Sequence, residues 1–168
     1  MDANPLLITL KIDDVSQQYF NALRKQYFPP ERNFLDAHLM LFHQLPADEQ
    51  KIDSDIADIV SSIKVFNMQV SGPATIGRGV AYKIESAELR IMHKQMQQLW
   101  QQWLIPQDQH KLWPHITIQN KVEPAVAQET LKKVSTGFQP FLVTAQGLML
   151  WEYQGGPWKF MGEWRFPA

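Results

Sequence analysis

"AHLMLFHQLP", residues 37 to 46, and "KLWPHITIQN", residues 111 to 120, share a layout that decides how this chain is read. A histidine opens each pattern. His38, Met40 and Phe42 alternate with Leu39, Leu41 and His43; His115, Thr117 and Gln119 alternate with Ile116 and Ile118. Successive side chains of a strand point to opposite faces, so a period of two marks a strand. With the Leu39/Leu41 and Ile116/Ile118 rows on a core, His38 and His115 face away from it. His43 is then expected on the core side.

Working outward, "LLITLKI", residues 6 to 12, reads as a strand. From Val15 the period changes: Val15, Tyr19, Leu23 and Tyr27 mark one helix face, capped by Asp13 or Asp14 and ended by "FPPERN". "PADEQ" opens a second helix with Ile52, Ile56, Ile59 and Ile63 inward. Ser71-Gly72-Pro73 is turn chemistry between two strands. A third helix runs from Glu88, with Leu89, Met92, Met96, Leu99 and Trp103 inward, to Pro106. Pro124 opens a fourth, with Val126, Leu131, Val134 and Phe138 inward, which Gly137 and Pro140 end. Two or three strands close the chain, with "QGGP" as a hairpin turn.

The order of elements runs through twice. It predicts an α+β fold in a single bilobal domain over residues 1–168. The lobe-forming halves are approximately 1–85 and 86–168, with strands free to exchange between them. Each lobe is expected to carry an antiparallel sheet, two helices and one His-strand, with a central cleft between the lobes as the ligand site.

The 168 residues are 45% hydrophobic and 20% charged, ordinary usage for a globular chain. A net charge of −1 offers no basic field for coating DNA. There is no cysteine, which excludes a disulfide scaffold, a thiol nucleophile and a cysteine zinc site. No signal peptide and no membrane span are expected, since no apolar run approaches the ~20 residues that a bilayer demands. The expectation is a cytoplasmic monomer.

Two imidazoles facing one cleft suit acid–base work on a phosphodiester. Near neutral pH one accepts a proton while the other donates one. A threonine hydroxyl beside a histidine supplies a donor for a non-bridging phosphate oxygen. No metal or other cofactor is required. A lone strand histidine is ordinarily structural; the matched pair is what shifts the reading. His43, His93 and His110 lack the pattern and are read as structural or solvated.

"HITI" at 115–118 resembles the H-x-[TS]-x motif of the two-histidine (2H) phosphoesterase superfamily, which contains 2′-5′ RNA ligase-like proteins and cyclic phosphodiesterases. "HLML" at 38–41 looks like the first copy, and "LDAHLMLFHQLP", "GRGVAYKIES" and "WPHITIQNKV" resemble bacterial members. The resemblance implies a bilobal α+β fold and metal-independent chemistry on 2′,3′-cyclic phosphates or 2′-5′ linkages, with a nucleotide or RNA end as partner. By position it makes His38 and His115 the acid–base pair and Thr117 a phosphate donor. Met40 departs from the motif, because it stands at the first hydroxyl position and cannot donate. An enzyme and a binding module that holds an RNA end without chemistry therefore both stay open. Met40 itself, Arg78, Trp113, Tyr153 and Trp158 are the candidate substrate-binding residues. For Arg78 the rival reading is a solvated charge, and for the aromatics it is packing. Lys111 and Lys121 read as surface charges.

Overall fold

The computed structural model describes residues 3–168. Seven strands, β1 (Leu6–Ile12), β2 (Leu39–Leu45), β3 (Phe66–Thr75), β4 (Val80–Glu85), β5 (His115–Gln119), β6 (Phe141–Tyr153) and β7 (Trp158–Arg165), form one antiparallel sheet. The helices are α1 (Asp14–Tyr27), α2 (Gln50–Ser61), α3 (Ala87–Leu99), α4 (Pro106–Gln109) and α5 (Pro124–Ser135). The fold is α+β.

Strand β6 organises the sheet. Along one edge, Ala145 to Glu152 pair with β1. The other edge is shared end to end: Phe141 to Ala145 take β3, and Gly147 to Tyr153 take β7. The order is β2-β1-β6-β3-β4-β5, with β7 beside the second half of β6. The sheet curls until its outer strands β2 and β5 touch. Helix α1 lies against β5, α5 against β3 and β4, and α2 against β6 and β7. Helix α3 reaches β2, where His93 stacks on Phe42.

The strands fall into two groups joined through β6, each with one His-strand. Neither group is a sequence half. β6, from the second half, sits between β1 and β3 of the first, and α1 leaves β1 only to pack on β5. The exchange follows from antiparallel pairing: an inserted central strand has both edges satisfied, whereas two separate half-sheets would each expose edges.

Helix α1 starts at Asp13, whose carboxylate accepts from the Ser16 backbone N–H at 2.9 Å and from the Ser16 hydroxyl at 2.9 Å. The same carboxylate accepts from the Thr144 N–H of β6 at 2.9 Å. This pins the helix and sets its rotation. The buried face is Ser16, Phe20 and Arg24, one position on from the expected stripe, and Val15 is 79% exposed. Leu23 and Tyr27 pack at its margin. Two other stripes differ in the same way. In α5, Ala127 and Thr130 are buried while Val126 faces solvent; after α3, Trp100 is fully buried and Leu99 is not.

Ser71-Gly72-Pro73 is no turn. β3 runs through it, with a bulge between Val70 and Gly72. Pairing with β6 stops at Val70, so one edge of β3 is free beyond it, where a proline without an N–H is tolerated. The reversal lies at residues 76–79, where Ile76 N–H donates to the Gly79 carbonyl and Gly77 has φ +89°. A Cβ at Gly79 would collide with the Gln119 backbone. The "QGGP" turn falls where expected: Gln154 N–H donates to the Pro157 carbonyl.

Because Asp13 serves both as helix cap and as tie to β6, Asp13→Ala is expected to lower the unfolding free energy by about 1–2 kcal/mol, read by urea denaturation. A change below about 0.3 kcal/mol would contradict the double role.

Candidate functional site

His38 immediately precedes β2 and His115 opens β5, the strands that the curl brings together. Their local geometry matches. The His38 Nδ1 lies 2.8 Å from the Asp36 carbonyl, and the His115 Nδ1 lies 2.7 Å from the Trp113 carbonyl, each two residues upstream. A carbonyl only accepts, so each Nδ1 carries the proton and donates it. In each neutral ring, Nε2 is therefore the lone-pair nitrogen. Each ring also has an indole beside it: Trp158 at 4.7 Å from His38, and Trp113 stacked at 4.4 Å and 25° on His115.

The rings are electrostatically aware of each other, since the charge of His115 opposes protonation of His38. Burial is the leading cause that pushes His38 down to about 4, and the charges of Arg24, His115 and His43 add to it. Burial likewise lowers His115, with His43 adding. The carbonyl bonds work the other way in both. Both imidazoles are thus neutral near pH 7 in the free protein.

Arg24, 5% exposed, lies close enough for its charge to act on His38. Its Nε donates to Asn33 Oδ1 at 2.7 Å, its Nη1 to the Thr117 carbonyl at 3.3 Å, and its guanidinium sits 3.9 Å over the Phe28 ring. Burial lowers it to about 10, so it stays charged at neutral pH. Asp36 favours that charge, yet among the described residues no carboxylate forms an ion pair with Arg24. A buried cation with no ion-pair partner among the described residues, close enough for its charge to oppose protonation of His38, is an anion-attracting arrangement. The sequence reading missed Arg24. Its one signal was the spacing Ser16, Phe20, Arg24, which places it on the buried helix face.

A hollow of about 400 Å³ opens beside His38. Trp151, Trp158 and Phe34 give it flat apolar walls, and Lys11, Asp14 and Gln17 give it polar ones. Of the expected contact residues, Trp113 and Trp158 flank the imidazoles. Met40 and Thr117 lie two residues along from their histidines and are half-buried. Tyr153 sits across the hairpin from Trp158, 41% exposed, without ring contact to either imidazole. Arg78 is turned to the neighbouring loop: its Nε donates to the Val122 carbonyl at 3.1 Å, and Glu123 lies 3.8 Å from its Nη2.

His43 is not on the core side. Two register shifts between β1 and β2 place both Leu41 and Phe42 inside and turn His43 outward. Its Nδ1–H meets Asp108 Oδ1 at 2.8 Å. That buried carboxylate also accepts from the His43 and Gln44 backbone N–H groups. A bulge resets the alternation behind it, and nothing in a period-two count announces one. His93 is structural, 3% exposed, with its Nε2–H donated to the Leu41 carbonyl at 3.0 Å. His110 is exposed.

Burial lowers His93 as well, so three histidines make stability depend on pH. An unfolded histidine titrates near 6.5, so between that value and the lower folded value the unfolded chain binds more protons. Their contribution to stability is complete above about pH 6.5 and is lost as pH falls toward the folded values. The expected outcome is a melting temperature that falls between pH 6.5 and 4.5, with the His38 ring resonances titrating near 4. A His38 midpoint above 6 by NMR would refute the desolvated site.

The model of the 2′-5′ RNA ligase superfamily matches residues 12–157 of this chain. Among curated proteins none matches. Solved structures share the fold at low identity. One is TT0787 of Thermus thermophilus, with TM-score 0.64, 13% identity, and 98% of each chain covered. E. coli LigT complexed with ATP has TM-score 0.63 and 14% identity, with both chains fully covered. E. coli LigT complexed with 3′-AMP has TM-score 0.61 and 13% identity, covering 99% of this chain and 100% of that one.

Proposed function

The chain belongs to the 2′-5′ RNA ligase superfamily, and we propose that it is a metal-independent phosphodiesterase acting on RNA-type ends, 2′,3′-cyclic phosphates or 2′-5′ linkages. The observation that carries the reading is the matched pair of Nδ1–H bonds to the Asp36 and Trp113 carbonyls, which leaves both Nε2 atoms free; in this reading they act on one phosphorus centre. The hollow beside His38, with its indole walls, has the character of a site for a base and ribose. The LigT structures with 3′-AMP and ATP fit a nucleotide ligand for the fold.

An anionic phosphodiester favours one proton on the imidazole pair. His38 resists protonation more strongly, so that proton resides on His115. Water attacks phosphorus and gives a proton to His38 Nε2. The bond from phosphorus to the departing ribose oxygen breaks, and His115 Nε2–H protonates that oxygen. The product is a monoester. The imidazolium formed at His38 keeps its Nδ1–H on the Asp36 carbonyl, which stabilises the charge. In this reading the Thr117 hydroxyl donates to the phosphoryl oxygens, and the charge of Arg24, held on the Thr117 carbonyl, favours the negative charge that develops there.

Turnover of RNA ending in a 2′,3′-cyclic phosphate is expected to persist in EDTA and to yield a monoester visible by phosphorus NMR. His38→Ala and His115→Ala are each expected to lower kcat by about 10²–10⁴-fold. Since kcat/KM reports the free enzyme, its optimum is expected below pH 6.5, between the values of the two rings, falling as His115 loses its proton. No turnover on any cyclic or 2′-5′ substrate, alongside tight nucleotide binding by calorimetry, would instead support a binding module, the reading that Met40 favours.

A further inference from the structure

Met40 removes the hydroxyl from the first motif, and the strand beside it carries one. In the β1–β2 ladder, Thr9 is the direct partner of Met40. Partners in an antiparallel pair point to the same face with Cβ atoms about 5 Å apart. Thr9 is also a wall of the hollow that holds His38. It is 2% exposed, the one polar residue in a row of buried apolar ones that runs from Leu6 to Leu10. A buried hydroxyl is kept where it has work to do, because unpaired it costs stability.

The bonding of Thr9 fixes what that work can be. The Trp151 indole N–H donates to Thr9 Oγ1 at 2.9 Å. An indole has only a donor to offer, so it occupies a lone pair and leaves the threonine proton unused. Among the described residues none accepts that proton. Trp151 therefore holds the Thr9 hydroxyl as a donor in want of an acceptor, on the wall of the hollow beside His38.

We propose that Thr9 supplies the phosphate-binding hydroxyl that Met40 has taken from the first motif. The donor has moved one strand sideways, from β2 to β1, and is oriented by Trp151. This role rests on the phosphodiesterase reading above, since it needs an anion held beside His38. Thr9 and Thr117 then donate from the two strand groups to non-bridging oxygens of one phosphoryl group. The methionine packs next to Thr9 and keeps water from competing for its proton.

The test is a rescue cycle with two readouts. In turnover, Thr9→Val is expected to lower kcat on the order of 10²-fold, as removal of one transition-state donor does elsewhere. KM should rise only severalfold, the melting temperature should fall modestly because the Trp151 N–H loses its acceptor, and Thr9→Ser, which keeps that acceptor, should keep most of the rate. Thr9→Val/Met40→Thr is expected to recover at least tenfold over Thr9→Val, because the hydroxyl returns to the motif position. In binding, inorganic phosphate titrated into the protein and followed by the His38 and His115 ring resonances should bind at least fivefold more weakly to Thr9→Val, and the double variant should restore it. Wild-type turnover or phosphate binding that Thr9→Val leaves unchanged overturns the role of Thr9 alone. Equal losses in Thr9→Val and Thr9→Val/Met40→Thr overturn it as well. Absence of both turnover and phosphate binding in the wild type overturns the phosphodiesterase reading together with this one.

Discussion

Strand β6 gives its backbone to three neighbours, and the site exists because of it. One edge is spent on β1; the other is divided between β3 and β7. Two groups of strands are thereby held on a single hydrogen-bonded strand of 13 residues, with helices α1 and α5 packed on one group and α2 on the other. Right-handed sheet twist accumulates across such an arrangement. Here it brings the outer strands β2 and β5 together, although they are first and last in the strand order. The two histidines, 77 residues apart in the chain, come within electrostatic reach of each other through that closure.

The electrostatics of the hollow follow from the same packing. Curling the sheet removes water from around His38 and His115, and burial is the leading cause that holds both in their neutral forms. It also drives α1 against β5, which seats Arg24 under the Thr117 carbonyl. A charged guanidinium with no ion-pair partner among the described residues costs desolvation energy, which a bound anion would offset. The indoles of Trp113 and Trp158 serve a second purpose beside stacking: they fill the space around each imidazole and limit its rotation. Each ring is fixed on one side by a carbonyl and on another by an indole, leaving Nε2 as the atom free to react.

Particular residues show where a linear reading reaches and where it stops. The α+β class and the strand nature of both histidine segments were legible, because Leu39/Leu41 and Ile116/Ile118 alternate cleanly over the length needed. Helix starts were legible through Asp13 and Pro124, and the Pro29-Pro30 break through its missing N–H groups, but the third helix stops at Leu99, and Pro106, expected to close it, instead opens α4. The rotation of α1 was not: Tyr19 and Phe20 are equally plausible core residues by hydropathy, and the bond from Asp13 to β6 chose between them. Nor was the bulge in β2. Leu41 and Phe42 both go inside because β1 offers fewer residues than β2 over the paired span, a fact of register rather than of composition. Ser71-Gly72-Pro73 misled for a related reason, since a free strand edge tolerates the proline that a central strand would reject.

By itself the sequence determined the chemistry in play: two histidines at the head of alternating segments, a threonine beside one, a methionine beside the other, and membership of a family in which such pairs recur. These are properties of local order, carried by spacing along the chain. Only the tertiary structure decided which groups share the hollow. It put Thr9 on the wall beside His38, seated Arg24 on the Thr117 carbonyl, turned His43 outward onto Asp108, and left Arg78 on the neighbouring loop. The physical reason is that burial and charge proximity depend on strand pairing and sheet curvature, and these are set by contacts between residues far apart in the chain.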